Sequence, residues 1–159
     1  MRLLGNIEAR IDSKGRVFLP AAFRKVLQVG GDTCLVLRRD VYQPCLTLYP
    51  EEAWNALMDS VRSRIDSWNP RHMQVYRQFL SDVEMVYPDS GGRILIPRRL
   101  LEIAGIGQGI RFIGMGDYIE VWSSEQTQEP FVAQDEFRQA LEALMRQSEG
   151  DKAEDCSSL

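Results

Sequence analysis

The chain has 159 residues, 44% hydrophobic and 26% charged; one-domain length and globular composition exclude collagen-like, coiled-coil-only and wholly disordered chains. No apolar run approaches the ~18 residues a membrane span needs, and Met1-Arg2-Leu3-Leu4-Gly5 lacks the apolar stretch of a secretory signal. Cys34, Cys45 and Cys156 show no C-x-x-C spacing and His72 is the single histidine, so the expectation is a cytoplasmic protein without a disulfide framework or zinc site.

The net charge of −4 argues against nucleic acid, but its distribution does not. Residues 1–50 carry eight Lys/Arg against four Asp/Glu, residues 51–123 eight against ten, and residues 124–159 three against nine. A basic front and an acidic rear follow. The local patch sets the electrostatic footprint, whatever the total.

In chain order, the first legible element is a turn, Asp12-Ser13-Lys14-Gly15, running into Arg16-Val17-Phe18-Leu19-Pro20. Asp can accept a backbone N–H across such a turn, and Gly can take a positive φ. Val17–Leu19 reads as a short strand buried on both faces, and Pro20 suits the first turn of a helix over about 21–28, stopped by Gly30. Strands follow at Cys34–Leu37 and Cys45–Tyr49. Trp54, Leu57, Met58, Val61, Ile65 and Trp68 then recur at helical spacing, and Asn69-Pro70 starts a second helix carrying Met73, Tyr76, Phe79, Leu80 and Val83.

Next the first motif returns. Asp89-Ser90-Gly91-Gly92-Arg93-Ile94-Leu95-Ile96-Pro97 matches residues 12–20 at five of nine positions, and three more are apolar in both. Phe23, Leu27, Val29 and Gly30 fall opposite Leu100, Ala104, Ile106 and Gly107. A second helix-and-strand set is expected: a helix over about 98–104 stopped at Gly105 or Gly107, then strands at Ile110–Ile113 and Tyr118–Trp122. A unit of ~45 residues is too small to bury a core alone, so the two copies are expected to close one β-rich core between them. A helix with Phe137, Leu141, Leu144 and Met145 on one side follows, and the acidic residues from about Ser148 onward read as disordered.

The doubled Asp-x-x-Gly-Arg-φ-φ-φ-Pro pattern, with Tyr49-Pro50-Glu51-Glu52-x-Trp54 and Ile113-Gly114-Met115-Gly116-Asp117, resembles the bacterial MraZ family over about residues 1–145. The resemblance implies an α+β fold: a pseudo-two-fold, double AbrB-like swapped-hairpin β-barrel with a helical insertion and a C-terminal helix. The corresponding divisions are residues 1–50 (first module), 51–84 (insertion), 85–123 (second module), 124–147 (helix) and 148–159 (tail). It further implies a transcription factor binding short direct repeats in the promoter of the division and cell-wall gene cluster, its own gene included. A ring-shaped homo-oligomer, often octameric, and association with the nucleoid go with it. No cofactor, membrane or small-molecule substrate is implied. The family's D-x-x-x-R signature falls on Asp12 and Arg16 and again on Asp89 and Arg93, whereas Gly91 stands where the first copy has Lys14.

A two-stranded β element fits the major groove, and Arg is the commonest reader of guanine. Arg16 and Arg93, at turn-to-strand junctions, are the expected base readers, and Lys14 and Arg10 the expected phosphate contacts. Asp12 and Asp89 are expected to brace the turn or orient the arginine, since phosphates repel carboxylates. The bland alternative is a solvated hairpin with a surface ion pair worth ~0–1 kcal/mol. Occurrence of the constellation twice favours the sharper reading. Gly105-Ile106-Gly107-Gln108-Gly109 follows a helix rather than a strand and reads as a helix stop, not a phosphate cradle. Without a nucleophile–base pair or metal cluster an enzyme is not expected; an oligomeric scaffold or antitoxin-like protein-binding module is the alternative.

Overall fold

The computed structural model describes residues 2–27, 33–125 and 130–157, with side chains to residue 147. Met1–Glu125 forms one compact unit and Gln126–Leu159 a second. In the first, β1 (Leu3–Arg10), β2 (Arg16–Phe18), α1 (Ala21–Leu27), β3 (Leu35–Arg39) and β4 (Leu46–Pro50) make up the first copy. Helices α2 (Glu51–Arg62) and α3 (Pro70–Ser81) come next. The second copy repeats the pattern as β5 (Val83–Val86), β6 (Arg93–Leu95), α4 (Arg98–Ile103), β7 (Gly109–Gly116) and β8 (Ile119–Ser123). The second unit contains α5 (Gln134–Ser157).

All the strand pairs are antiparallel, in a six-stranded sheet ordered β1-β7-β8-β4-β3-β5 and a ribbon of β2 with β6. Exchanging equivalent strands of the two copies turns that order into its own reverse, which is a pseudo-two-fold axis between β4 and β8. Each copy lends its first strand to the other: β1 pairs with β7, and β5 with β3. Among the described residues the main-chain pairing closes no barrel; β1 and β5 are edges.

One hydrophobic core serves both copies. Val17, Leu19, Phe23 and Leu27 share it with their counterparts Ile94, Ile96, Leu100 and Ala104, and with Leu35, Leu37, Leu46, Leu48, Ile110, Phe112, Ile119 and Val121 of the sheet. Burying such side chains is worth roughly 1.5–3 kcal/mol each. A lone copy would leave half of that surface in water, which is why the repeat folds as a pair.

The helix stops follow backbone chemistry. Gly105 takes φ +64°, and the N–H groups of Gly105 and Ile106 return to the carbonyls of Glu102 and Leu101 at 3.1 and 2.9 Å, closing α4 with a Schellman turn. Asn69 caps α3 by accepting from Arg71 and His72 N–H, with Pro70 as the first helical residue. Pro97 lies just before α4. It caps α4 from outside, and its carbonyl accepts the N–H groups of Leu100 and Leu101.

Several expectations need correction. Strands β1 and β5 are absent from the sequence reading, because Gly5-Asn6 interrupts one apolar alternation and four residues are too few to show the other. Val83 belongs to β5, not to a helix: α3 ends at Ser81 and β-branched Val83 and Val86 suit a strand. Ile65 and Trp68 lie beyond α2, and Trp68 is 93% exposed. Phe18 and Leu95 are not buried, being 56% and 54% exposed. Helix α5 continues past Ser148 to Ser157, since lack of an apolar stripe removes a packing face and not the backbone hydrogen bonds of a helix. Gly30 lies outside the described residues.

Candidate nucleic-acid interface

The ribbon is where the two copies of the motif meet. Its register sets Arg16 opposite Leu95, Val17 opposite Ile94 and Phe18 opposite Arg93. Val17 and Ile94, each 1% exposed, anchor its inner face. By strand alternation Arg16, Phe18, Arg93 and Leu95 share the outer one. Two further bonds between the copies fasten the ribbon's ends: Leu19 N–H donates to the Gly92 carbonyl at 3.0 Å, and Ile96 N–H to that of Gly15 at 2.8 Å.

Each turn carries the same brace. Asp12 Oδ1 accepts the backbone N–H groups of Lys14 and Arg16, both at 2.9 Å, and Oδ2 faces Arg16 Nε at 3.3 Å. Asp89 Oδ1 accepts from Gly91 and Arg93 N–H, both at 2.9 Å, and Oδ2 faces Arg93 Nε at 2.9 Å. The backbone N–H of Arg16 is the main influence holding the Asp12 carboxyl below its ordinary range, and that of Arg93 does the same for Asp89. Both carboxylates are thus committed to the turn and its arginine, the bracing role the sequence suggested. A guanidinium gripped at Nε keeps its outer N–H groups for a second acceptor.

Both turns need glycine. Gly15 and Gly92 have φ of +86° and +84°. A Cβ on Gly15 would lie 2.8 Å from the Ile96 carbonyl oxygen, and one on Gly92 2.5 Å from Arg24 Cδ. That second approach exposes a cation the motif comparison passes over: Arg24, on α1 of the first copy, packs against the second copy's turn, with Nη1 3.4 Å from the Gly91 carbonyl. Its sequence number gives no hint of this, because the contact depends on the two-fold pairing. Exposed Arg98 joins Lys14, Asp12 and Gly15 around a cavity of about 500 Å³ beside the first turn.

The remaining site candidate is elsewhere. Arg10 ends β1 opposite Gly109, in a depression shared with Glu8, Gln108 and Glu125, not on the ribbon. The donor atoms of Asp40, Cys45 and Glu120 lie within 4.8 Å of one another, and each is already engaged by a hydrogen bond. Asp40 accepts from Tyr42 and Gln43 N–H, while Cys45 Sγ and Trp122 Nε1 donate to Glu120 at 3.9 and 3.2 Å. Burial drives the Cys45 thiol pKa far up and raises that of Glu120. His72 Nδ1 accepts the Asp66 N–H at 3.0 Å, a structural bond. Trp54 is buried and stacks on Phe79 at 5.4 Å, with the Arg38 guanidinium 4.4 Å from the Phe79 ring. That is interior packing in the insertion.

The fold and site define an antiparallel α+β protein built from a duplicated, Asp–Arg-braced hairpin whose basic ribbon stands apart from the sheet. A family model described as MraZ protein, antitoxin-like, matches residues 3–77 and 79–148. The chain is 54% identical over 145 residues to the transcriptional regulator MraZ of Bacteroides thetaiotaomicron, covering 91% of this chain and 93% of that one. It is 52% identical to that of Phocaeicola vulgatus (91% and 94% covered) and 34% identical to that of Christiangramia forsetii (91% and 94% covered). The chain belongs to the MraZ family, a family of transcriptional regulators and not of enzymes. Among the described residues no helix is long and apolar enough to cross a membrane.

Proposed function

We propose that this protein is a sequence-specific DNA-binding regulator that docks the β2–β6 ribbon in the major groove. The observation carrying this reading is the doubled Asp–Arg brace on one exposed two-stranded element. Arg16 and Arg93 read guanine O6 and N7, each good bidentate contact being worth ~1–3 kcal/mol of discrimination. Lys14 contacts phosphate, with Arg10 reaching the backbone further out on β1, and Asp12 and Asp89 hold the arginines in place. The strand exchange described above supports a double AbrB-like swapped-hairpin fold, in which residues 1–50 and 85–123 are the modules and 51–84 the insertion.

One ribbon makes few contacts and binds weakly. A ring-shaped homo-oligomer, an octamer in this reading, would set several ribbons on successive direct repeats and gain avidity through effective concentration. Occupied repeats in the promoter of its own division and cell-wall gene cluster would block RNA polymerase, making the protein a cytoplasmic, nucleoid-associated autorepressor. The test is fluorescence anisotropy with the duplex upstream of its own gene, a scrambled control and a salt series. Selective binding that weakens with salt and is lost in Arg16→Ala/Arg93→Ala supports the reading. Equal weak binding to both duplexes, unchanged in the variant, contradicts it and favours a protein-binding, antitoxin-like role for the helices.

A further inference from the structure

We propose that Phe18 and Leu95 are specificity residues of the ribbon, contacting the 5-methyl groups of thymines about two base steps from the guanines that Arg16 and Arg93 address. The proposal rests on the DNA-binding reading above and adds a second base to it.

On a three-residue strand the core requires only the inner side chain, and Val17 and Ile94 fill that place. The outer places of a ribbon left to water ordinarily take polar residues. Here, instead, a Phe and a Leu are held more than half exposed at equivalent positions of both copies. Repetition makes this a patterned face: each arginine looks across the ribbon at an apolar side chain, Arg16 at Leu95 and Arg93 at Phe18. In one pair the contact is explicit, with Arg93 Cζ 5.6 Å from the centre of the Phe18 ring.

Charge says what covers this face. The two arginines lie on it, each paired with a turn carboxylate, and Lys14 in one flanking turn and Arg24 beside the other leave the face net positive, which favours a polyanionic occupant. Among the edges that a major groove displays, the one apolar group is the thymine methyl. Spacing agrees. Residues i and i+2 of a strand are roughly 6.7 Å apart, near two base steps of ~3.4 Å. Arg16 and Phe18 therefore address bases about two steps apart on one side of the axis, and Arg93 and Leu95 do so on the other. The operator element expected is a guanine and a thymine per copy, with the larger methyl dependence on the Phe18 side.

The experiment uses the full chain and the shortest duplex it protects upstream of its own gene. Each thymine is replaced in turn by deoxyuridine, which removes only the methyl, and each guanine by 7-deazaguanine, which removes N7. We expect about a fourfold loss of affinity at the sensitive thymines, the worth of one buried methyl-sized group. Phe18→Ala should bind the thymine and uridine duplexes alike on its side, and Leu95→Ala on the other. Phe18→Leu, which copies the second hairpin, should retain the discrimination and controls for folding. If 7-deazaguanine weakens binding while no uridine does, the arginine reading stands and this proposal is overturned. If neither substitution matters and a scrambled duplex binds equally, both fall. A change in sedimentation mass in Phe18→Ala, with uridine still silent, would make the patch a contact between copies and also overturn the proposal.

Discussion

The two turns keep one brace and differ in what surrounds it. In the first, the turn supplies its own cation, Lys14, and a cavity of about 500 Å³ opens beside it toward Leu101 and Glu102 of α4. In the second, Gly91 replaces the lysine and the cation arrives from the other copy, as Arg24 laid against Gly91 and Gly92. Duplication has thus preserved the backbone geometry and reassigned the charge. A motif comparison alone makes the second turn look less basic. The folded pair brings a cation back to it.

The largest effect should come from the arginines that both turns share. Arg16→Ala/Arg93→Ala should lower selective DNA affinity by more than about 30-fold, since each readout pair is worth ~1–3 kcal/mol. The single variants, measured by anisotropy, should fall equally if the copies are equivalent readers, and an unequal fall would rank them.

Next come the glycines. Gly15→Ala and Gly92→Ala each force a side chain into positive φ, at ~1–3 kcal/mol. Gly15→Ala should be the worse of the two by thermal unfolding, because its Cβ meets a backbone carbonyl, whereas the Arg24 side chain over Gly92 can swing away.

A smaller change would test the charge transfer between copies. Gly91 has no positive φ, and a Cβ there meets nothing closer than Asp89 Oδ1 at 3.4 Å, so Gly91→Lys should fold normally. It should strengthen DNA binding several-fold at low salt and steepen the salt dependence by about one phosphate contact. Arg24→Ala should reduce that slope, and adding Gly91→Lys should recover it.

The smallest effect is acid-linked. Both brace carboxyls are held below the ordinary value, so their contribution to stability is complete above ~pH 4 and is lost as pH falls through the lower folded values. Asp12→Asn and Asp89→Asn should therefore show a shallower acid-side fall in Tm than the parent protein.

Much of this was legible in the sequence for physical reasons. Asp, Gly and Pro at fixed offsets specify a turn, a strand and a helix start through short-range backbone chemistry, and both copies fold as that chemistry dictates. The shared core followed from the small size of each copy. The inter-copy features were not legible. Strand β1 takes its place from β7, more than a hundred residues away, and Arg24 reaches Gly91 across the two-fold. The outward turn of Phe18 and Leu95 is hidden in the sequence, because three apolar residues in a row look like a fully buried strand. Only the ribbon's register shows that the middle one faces out.

If the doubled Asp–Arg ribbon reads bases, a change of one guanine atom should reveal it in a single affinity comparison. The comparison is of the parent protein and Arg16→Ala, each with a promoter duplex carrying guanine or 7-deazaguanine at a single protected position. At one position the parent should lose affinity on removal of N7 while Arg16→Ala, already weakened, loses nothing more, with a second such position for Arg93→Ala. Equal losses in parent and variants at every guanine would contradict base reading, placing the arginines outside base recognition.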